Sequence, residues 1–205
     1  GMYTAAAAQR DGATVTMFAP RPEPVPGPLQ PILSRVDWIG PTITPAQLPH
    51  FEIAHHGGGK ATLLDALWGA ESCLAPHDLP DDLSRYRLVH IAALRSASRQ
   101  LEFLVACRQR GATRVSIGTY ARVVVLEAEN VQTLIQQADL FFMNENEADT
   151  LFGSVEDSYA QPGRLLFVTM GHQGARVVQG GYATIVSAPE TDEVDPTGAG
   201  DTFCG

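Results

Sequence analysis

The chain is short of charge, of cysteine and of long apolar runs. Only 18% of its 205 residues are Asp, Glu, Lys or Arg, and acids outnumber bases by 23 to 14, for a net charge of -9. No basic run occurs anywhere, which argues against a nucleic-acid partner, because phosphate-backbone affinity leans on Lys and Arg. A small polyanion stays open as a ligand, since backbone amides bind phosphate without net positive charge. Three cysteines, Cys73, Cys107 and Cys204, are odd in number, far apart and fit no metal spacing. They read as reduced thiols of a cytoplasmic protein. Uncharged stretches are broken by Pro or Gly before reaching the length of a membrane span, and Met2-Tyr3-Thr4 lacks the basic start of a secretory signal. What remains is a 44% apolar, globular composition with length for one α/β domain and a sizeable core.

Residues 4–10 predict a helix closed by Gly12, and residues 13–18 a strand. Six prolines between Pro20 and Pro31 predict an extended surface connection. Residues 51–55 and 60–67 read as a hairpin around Gly57-Gly58-Gly59, within a small lid of about residues 45–68. His55-His56-Gly57-Gly58-Gly59-Lys60 is not a Walker loop, because Ala61 stands where Ser or Thr is needed. Adjacent strand histidines face opposite ways, so a solvated tip is the better reading.

From residue 86 onward short apolar strands alternate with helices. Strands are expected at 87–92, 115–118, 140–143 and 165–169. Helices are expected at 98–110, with Leu101, Leu104 and Val105 on one face, at 145–152 before Gly153, and around Val131, Leu134, Ile135 and Ala138. Residues 175–179 and 182–186, joined by Gly180-Gly181, predict an edge hairpin. This alternation predicts a doubly wound, mainly parallel sheet with helices on both faces, in a single domain over residues 1–205.

Three stretches can do chemistry. Val194-Asp195-Pro196-Thr197-Gly198-Ala199-Gly200-Asp201 leads from a loop into a helix. Glycines let a ligand approach the backbone, and first-turn amides with the macrodipole make an anion cradle. Asp201 beside that cradle suits a base taking a proton from an attacking hydroxyl; the bland reading is an acid favoured by the helix dipole. Asn144-Glu145-Asn146-Glu147 follows a strand's carboxyl end. It is both a capping-box pattern and a candidate organiser of hydrated Mg²⁺. Thr169-Met170-Gly171-His172-Gln173-Gly174 either turns the chain into the hairpin or brings amides to a phosphate.

In order and spacing these three pieces resemble the ribokinase-type (PfkB) carbohydrate kinases. That resemblance rests on D-x-x-G-A-G-D at Asp195–Asp201, N-x-x-E at Asn144–Glu147 and T-x-G-x-x-G at Thr169–Gly174. It implies ATP-dependent transfer of the γ-phosphoryl group to a hydroxyl of a sugar or nucleoside. Asp201 is then the catalytic base, and the amides of Gly198, Ala199 and Gly200 form the anion hole. Asn144 and Glu147 organise Mg²⁺ through water, while Thr169, Gly171, Gly174 and Thr197 line the nucleotide site. Asp195 is placed for a monovalent cation such as K⁺, and the lid hairpin is a candidate surface for a homodimer. By the same resemblance the chain is expected to be clipped at both ends. If Gly1 is the second glycine of the family's G-G-x-x-x-N motif, its asparagine position is Ala5. Two other readings compete: a non-catalytic relative that binds a nucleotide or metabolite, and an unrelated α/β protein with a coincidental loop.

Overall fold

The computed structural model describes residues 1–57, 60–192 and 194–205, with the backbone alone for residues 55–57, 60 and 61. In chain order the elements are α1 (Met2–Arg10), β1 (Thr16–Phe18), β2 (Arg21–Pro22), α2 (Gln30–Leu33), β3 (Asp37–Ile39) and β4 (Thr42–Ile43). Then come β5 (His50–Gly57), β6 (Lys60–Leu67), β7 (Val89–Ile91), α3 (Ala97–Gln109), β8 (Val115–Gly118), α4 (Ala121–Leu126) and α5 (Ala128–Gln137). The chain continues through β9 (Leu140–Asn144), α6 (Glu145–Phe152), β10 (Leu165–Thr169), β11 (Ala175–Gln179), β12 (Tyr182–Val186) and α7 (Ala199–Cys204). Two compact units result, Gly1–Leu79 with Asp195–Gly205, and Pro80–Val194.

In the first unit β1 pairs with β3 and β2 with β4, both parallel, while β5 and β6 form the antiparallel hairpin. Its core is Ala5, Met17, Ile32, Val36 and Trp38, and the Trp38 indole N–H donates to the Ala19 carbonyl at 3.1 Å. The proline-rich stretch departs from the expected extended surface connection. Pro22 is fully buried inside β2. It fits there because the ladder bonds come from its neighbours, Arg21 N–H to Pro41 and Glu23 N–H to Ile43, so its missing donor is not needed. Pro28 and Pro31 then sit in the first turns of a 3₁₀ turn (Gly27–Leu29) and of α2, where a fixed φ helps. The expected turn at Gly58-Gly59 and the exposure of the tip side chains lie outside the described residues.

The second unit is a six-stranded sheet in the order β12-β11-β10-β9-β8-β7, parallel from β7 to β10 and antiparallel at β11 and β12. The strands ending at Asn144 and Thr169 are therefore parallel, as a helical crossover requires. Ile117, Phe141, Leu166, Val168 and Val115 are fully or nearly fully buried. Helix α5 buries Val131, Leu134 and Ile135, as its period predicts. Helix α3 turns a different face inward from the one expected: Ala97, Gln100, Phe103, Leu104 and Cys107 are buried, while Val105 is exposed. Gln100 is responsible. Its side-chain amide donates to the Ala92 carbonyl at 2.9 Å and the Gly118 carbonyl at 2.7 Å, clamping the carboxyl ends of β7 and β8. The first turn of α3 is capped by Ser96 and by the Glu127 carboxylate, which accepts the Ser98 amide at 2.9 Å.

At the opposite edge of the sheet Asp139 joins two arginines. Its Oδ2 accepts from Arg108 Nη2 and from the Val115 amide, both at 2.7 Å, and Arg164 lies 3.8 Å from Oδ1. Burial alone would raise its pKa, but the Val115 amide and the Arg108 guanidinium outweigh burial and hold it below the usual carboxylate value. A lowered folded-state pKa stabilises above the unfolded value and fades as pH falls through the folded one. Asp139→Asn is therefore expected to cost about 1.5–3 kcal/mol at pH 7, from bonds to a charged group, and to flatten the acid limb of stability. Urea melts at pH 7 and pH 3 check both; equal losses at the two pH values would refute the charge argument.

Candidate active site

The predicted site residues fall into two groups, one in each unit. In the second unit β9 and β10 run side by side and their last residues, Asn144 and Thr169, are register partners at the carboxyl edge. Open α/β sheets bind ligands at that edge. The Thr169 hydroxyl reaches back to the Met143 carbonyl at 3.4 Å. Met170 leads into a 3₁₀ turn, Gly171–Gln173, before β11. Gly171 has φ +55 with open space where a Cβ would stand, whereas a Cβ on Gly174 (φ +98) would overlap the Val186 carbonyl. Gly174 is thus fixed by the hairpin it opens, and Gly171 is the glycine of the pair with room for an approaching group.

Asn144 and Glu147 form a complete capping box on α6. Asn144 Oδ1 accepts the Glu147 amide at 3.0 Å, and Glu147 Oε2 accepts the Asn144 amide at 3.0 Å. A third bond, Asn144 Nδ2 to Glu147 Oε1 at 2.8 Å, ties the side chains together. Glu147 is only 4% exposed, and burial pushes its carboxyl up to about 7 despite those donors. A surface cap does not need a buried acid. These oxygens are shared between the two residues, and among the described hydrogen bonds no cationic side chain sits on the buried carboxylate, so any hard cation at this place would be reached through water.

In the first unit the chain turns at Asp195–Thr197, where Asp195 Oδ1 accepts the Thr197 amide at 2.9 Å. Gly198, at φ +77, is the N-cap of α7 and accepts the Thr202 amide at 2.8 Å. The Ala199 amide is engaged by the Pro196 carbonyl at 3.1 Å, while among the described residues the Gly200 amide has no backbone acceptor. The three amides of the expected anion hole are thus not equivalent. Space over Gly198 is also taken, by the ring of Tyr3, and Gly200 is open. Asp201 lies in the first turn of α7 with its side chain 46% exposed, and the Gly1 nitrogen is 3.9 Å from its Oδ1. Asp195 is an exposed oxygen donor of the kind a monovalent cation takes, and no group of three or more His, Cys, Asp or Glu side chains forms a metal cage among the described residues.

Two polar residues escape sequence reasoning. His90, on β7, bonds through Nδ1 to the Ser116 hydroxyl at 2.9 Å and is held neutral, its pKa lowered to about 4 by burial. Gln100 is the other, and only its position in the inward period Gln100-Phe103-Leu104-Cys107 could have flagged it.

An exposed acid at the start of a helix behind a Gly-Ala-Gly loop lies in the first unit, and a pair of loops at the carboxyl edge of an α/β sheet lies in the second. Residues 51–205 match the pfkB family of carbohydrate kinases, and the chain belongs to that family. It is 24% identical over 185 residues to the cytidine kinase of Thermococcus kodakarensis, covering 86% of this chain and 66% of that one. The chain thus spans just under two thirds of that relative's length. The crystal structure of adenosine kinase from Sinorhizobium meliloti matches with a TM-score of 0.79 at 19% identity, over 99% of this chain and 67% of that one. Fructokinase from Vibrio cholerae, solved with fructose, ADP and calcium, matches with a TM-score of 0.74 at 21% identity, over 98% of this chain and 72% of that one. The fold is ribokinase-like α/β, doubly wound, with a mixed sheet and helices on both sides. No helix among the described residues is long and apolar enough to cross a membrane.

Proposed function

We propose that the protein transfers the γ-phosphoryl group of ATP to a hydroxyl of a sugar or nucleoside. The observation that carries this reading is the loop Asp195–Asp201, within the matched family region, with an exposed carboxylate in the first helical turn and an open Gly200 beside it. Asp201 takes the acceptor's proton as its oxygen attacks. The Gly198–Gly200 amides, Gly200 foremost, stabilise charge on the transferring group. Thr169, Gly171, Gly174 and Thr197 would line the nucleotide, and Asn144 with Glu147 would hold hydrated Mg²⁺. When bound, Mg²⁺ supplies positive charge across the phosphates, and K⁺ at Asp195 would steady the loop. The β5–β6 hairpin acts as the lid, and Phe51, Ile53 and Leu63, about 40% exposed, give it an apolar side for a second copy of the chain.

Relatives that act on cytidine or adenosine, or that bind fructose, share only a hydroxylated ring. The test is therefore a panel: cytidine, adenosine, ribose and fructose with ATP, with and without Mg²⁺, followed by detection of phosphorylated product. Mg²⁺-dependent product from at least one acceptor is expected. ATP binding without any product would favour the non-catalytic relative.

A further inference from the structure

We infer that Tyr3 contacts the phosphate acceptor, its ring and hydroxyl forming one wall of the acceptor's place beside Asp201; this rests on the kinase reading above. Helix α1 packs along α7, so closely that a Cβ on Gly205 would run into the Thr4 carbonyl and Ala7. The start of α1 therefore lies at the start of α7, with the Gly1 nitrogen 3.9 Å from Asp201 Oδ1. Its side chains divide cleanly. Thr4 and Ala5 are buried, Ala5 within the apolar core of this unit, so neither presents a polar group outward. Tyr3 goes the other way, onto the glycine loop. A Cβ on Gly198 would stand 2.5 Å from its Cδ2 and 2.7 Å from its Cε2.

Packing against a glycine is commonly the whole purpose of such a ring. Here it is not, because Tyr3 remains 50% exposed and, among the described residues, no hydrogen bond reaches its hydroxyl. An apolar prop would serve as well with Phe or Leu and would bury more of itself. A tyrosine left half open on a glycine three residues before the proposed base offers an apolar face and a hydroxyl that both donates and accepts. Those two features match a hydroxylated ring, whose C–H face packs on the aromatic ring while a neighbouring hydroxyl bonds the phenol. A free sugar and the ribosyl part of a nucleoside share that chemistry.

The test measures binding and turnover on the same proteins. Wild type, Tyr3→Phe and Tyr3→Ala are titrated calorimetrically with ribose, fructose and cytidine, in the presence of Mg²⁺ and a non-hydrolysable ATP analogue. The analogue is also titrated alone. Tyr3→Ala should weaken the best acceptor about tenfold or more, and Tyr3→Phe about threefold to tenfold through one lost hydrogen bond. Analogue affinity should stay within about twofold. Which acceptor binds best separates the free-sugar source from the nucleoside source. A Tyr3→Phe protein with unchanged acceptor affinity overturns the inference, and that variant decides the matter even if Tyr3→Ala fails to fold. Joint loss of acceptor and analogue binding in Tyr3→Ala, fully restored in Tyr3→Phe, also overturns it, since the ring is then only a prop for Gly198. So does a wild type that binds none of the acceptors. Acceptor binding that depends on Tyr3, without phosphoryl transfer, leaves the inference standing and sinks the kinase reading instead.

Discussion

Asp201→Asn should lower kcat by about 10²–10⁴-fold, the usual contribution of a positioned general base. The substitution keeps the side chain's size and removes its charge and its basicity. Stability should hardly change. The side chain is 46% exposed in the first turn of α7, where a carboxylate gains only about 0.3–1 kcal/mol from the helix dipole. Nucleotide affinity should hold or tighten slightly, because a negative charge near the γ-phosphate has gone. The three readouts separate the two roles open to this acid. A proton acceptor loses turnover with its melting temperature kept; a helix-dipole partner loses a little stability with turnover kept. Undiminished kcat in the variant, measured with ATP, Mg²⁺ and the best acceptor, would refute the base assignment.

What the sequence made legible was local. Buried parallel strands read as short apolar runs, so Val115–Gly118 and Leu165–Thr169 were placed to the residue. Helix α6 announced both its ends, through the Asn144 cap and the left-handed Gly153. Helix α4 was missed because Ala121-Arg122-Val123-Val124-Val125-Leu126 has strand-like β-branched composition; as a helix it buries Val123 and Val124 and leaves Val125 and Leu126 exposed. On α3 an apolar count chose Leu101, Leu104 and Val105. It could not foresee that a glutamine would face inward, because that choice depends on carbonyls at residues 92 and 118. The same limit applies at the site. Three motifs were visible as chain-local patterns, but the ring of Tyr3 on Gly198 joins positions nearly two hundred residues apart. Nor does any pattern say that Ala199's amide is taken while, among the described residues, Gly200's has no backbone acceptor.

Glu147 carries the second large effect, and it concerns stability. A carboxyl whose folded pKa is raised to about 7 from an ordinary 4.5 favours the protonated form in the folded state. For an acid shifted upward the sign is the reverse of the usual one. The fold is most stable below the unfolded pKa, and stability is lost as pH rises from about 4.5 through about 7. At 1.36 kcal/mol per unit the penalty by pH 8 is roughly 3 kcal/mol. The capping box does not call for this, since a glutamine at the same place would accept the Asn144 amide without the charge. An acid kept at such a cost fits a site that a cation completes, which is the role proposed for Glu147 with hydrated Mg²⁺. Glu147→Gln is accordingly expected to stabilise the protein by roughly 2–3 kcal/mol at pH 8, to change little at pH 4.5, and to lower Mg²⁺-dependent turnover at least tenfold. Denaturant melts across that pH range, run with and without Mg²⁺, check the first two outcomes and a Mg²⁺ titration of turnover the third. Added Mg²⁺ should also raise wild-type stability at pH 8 and leave Glu147→Gln unmoved. A variant no more stable than wild type at pH 8, yet fully active, would reduce Glu147 to a helix cap.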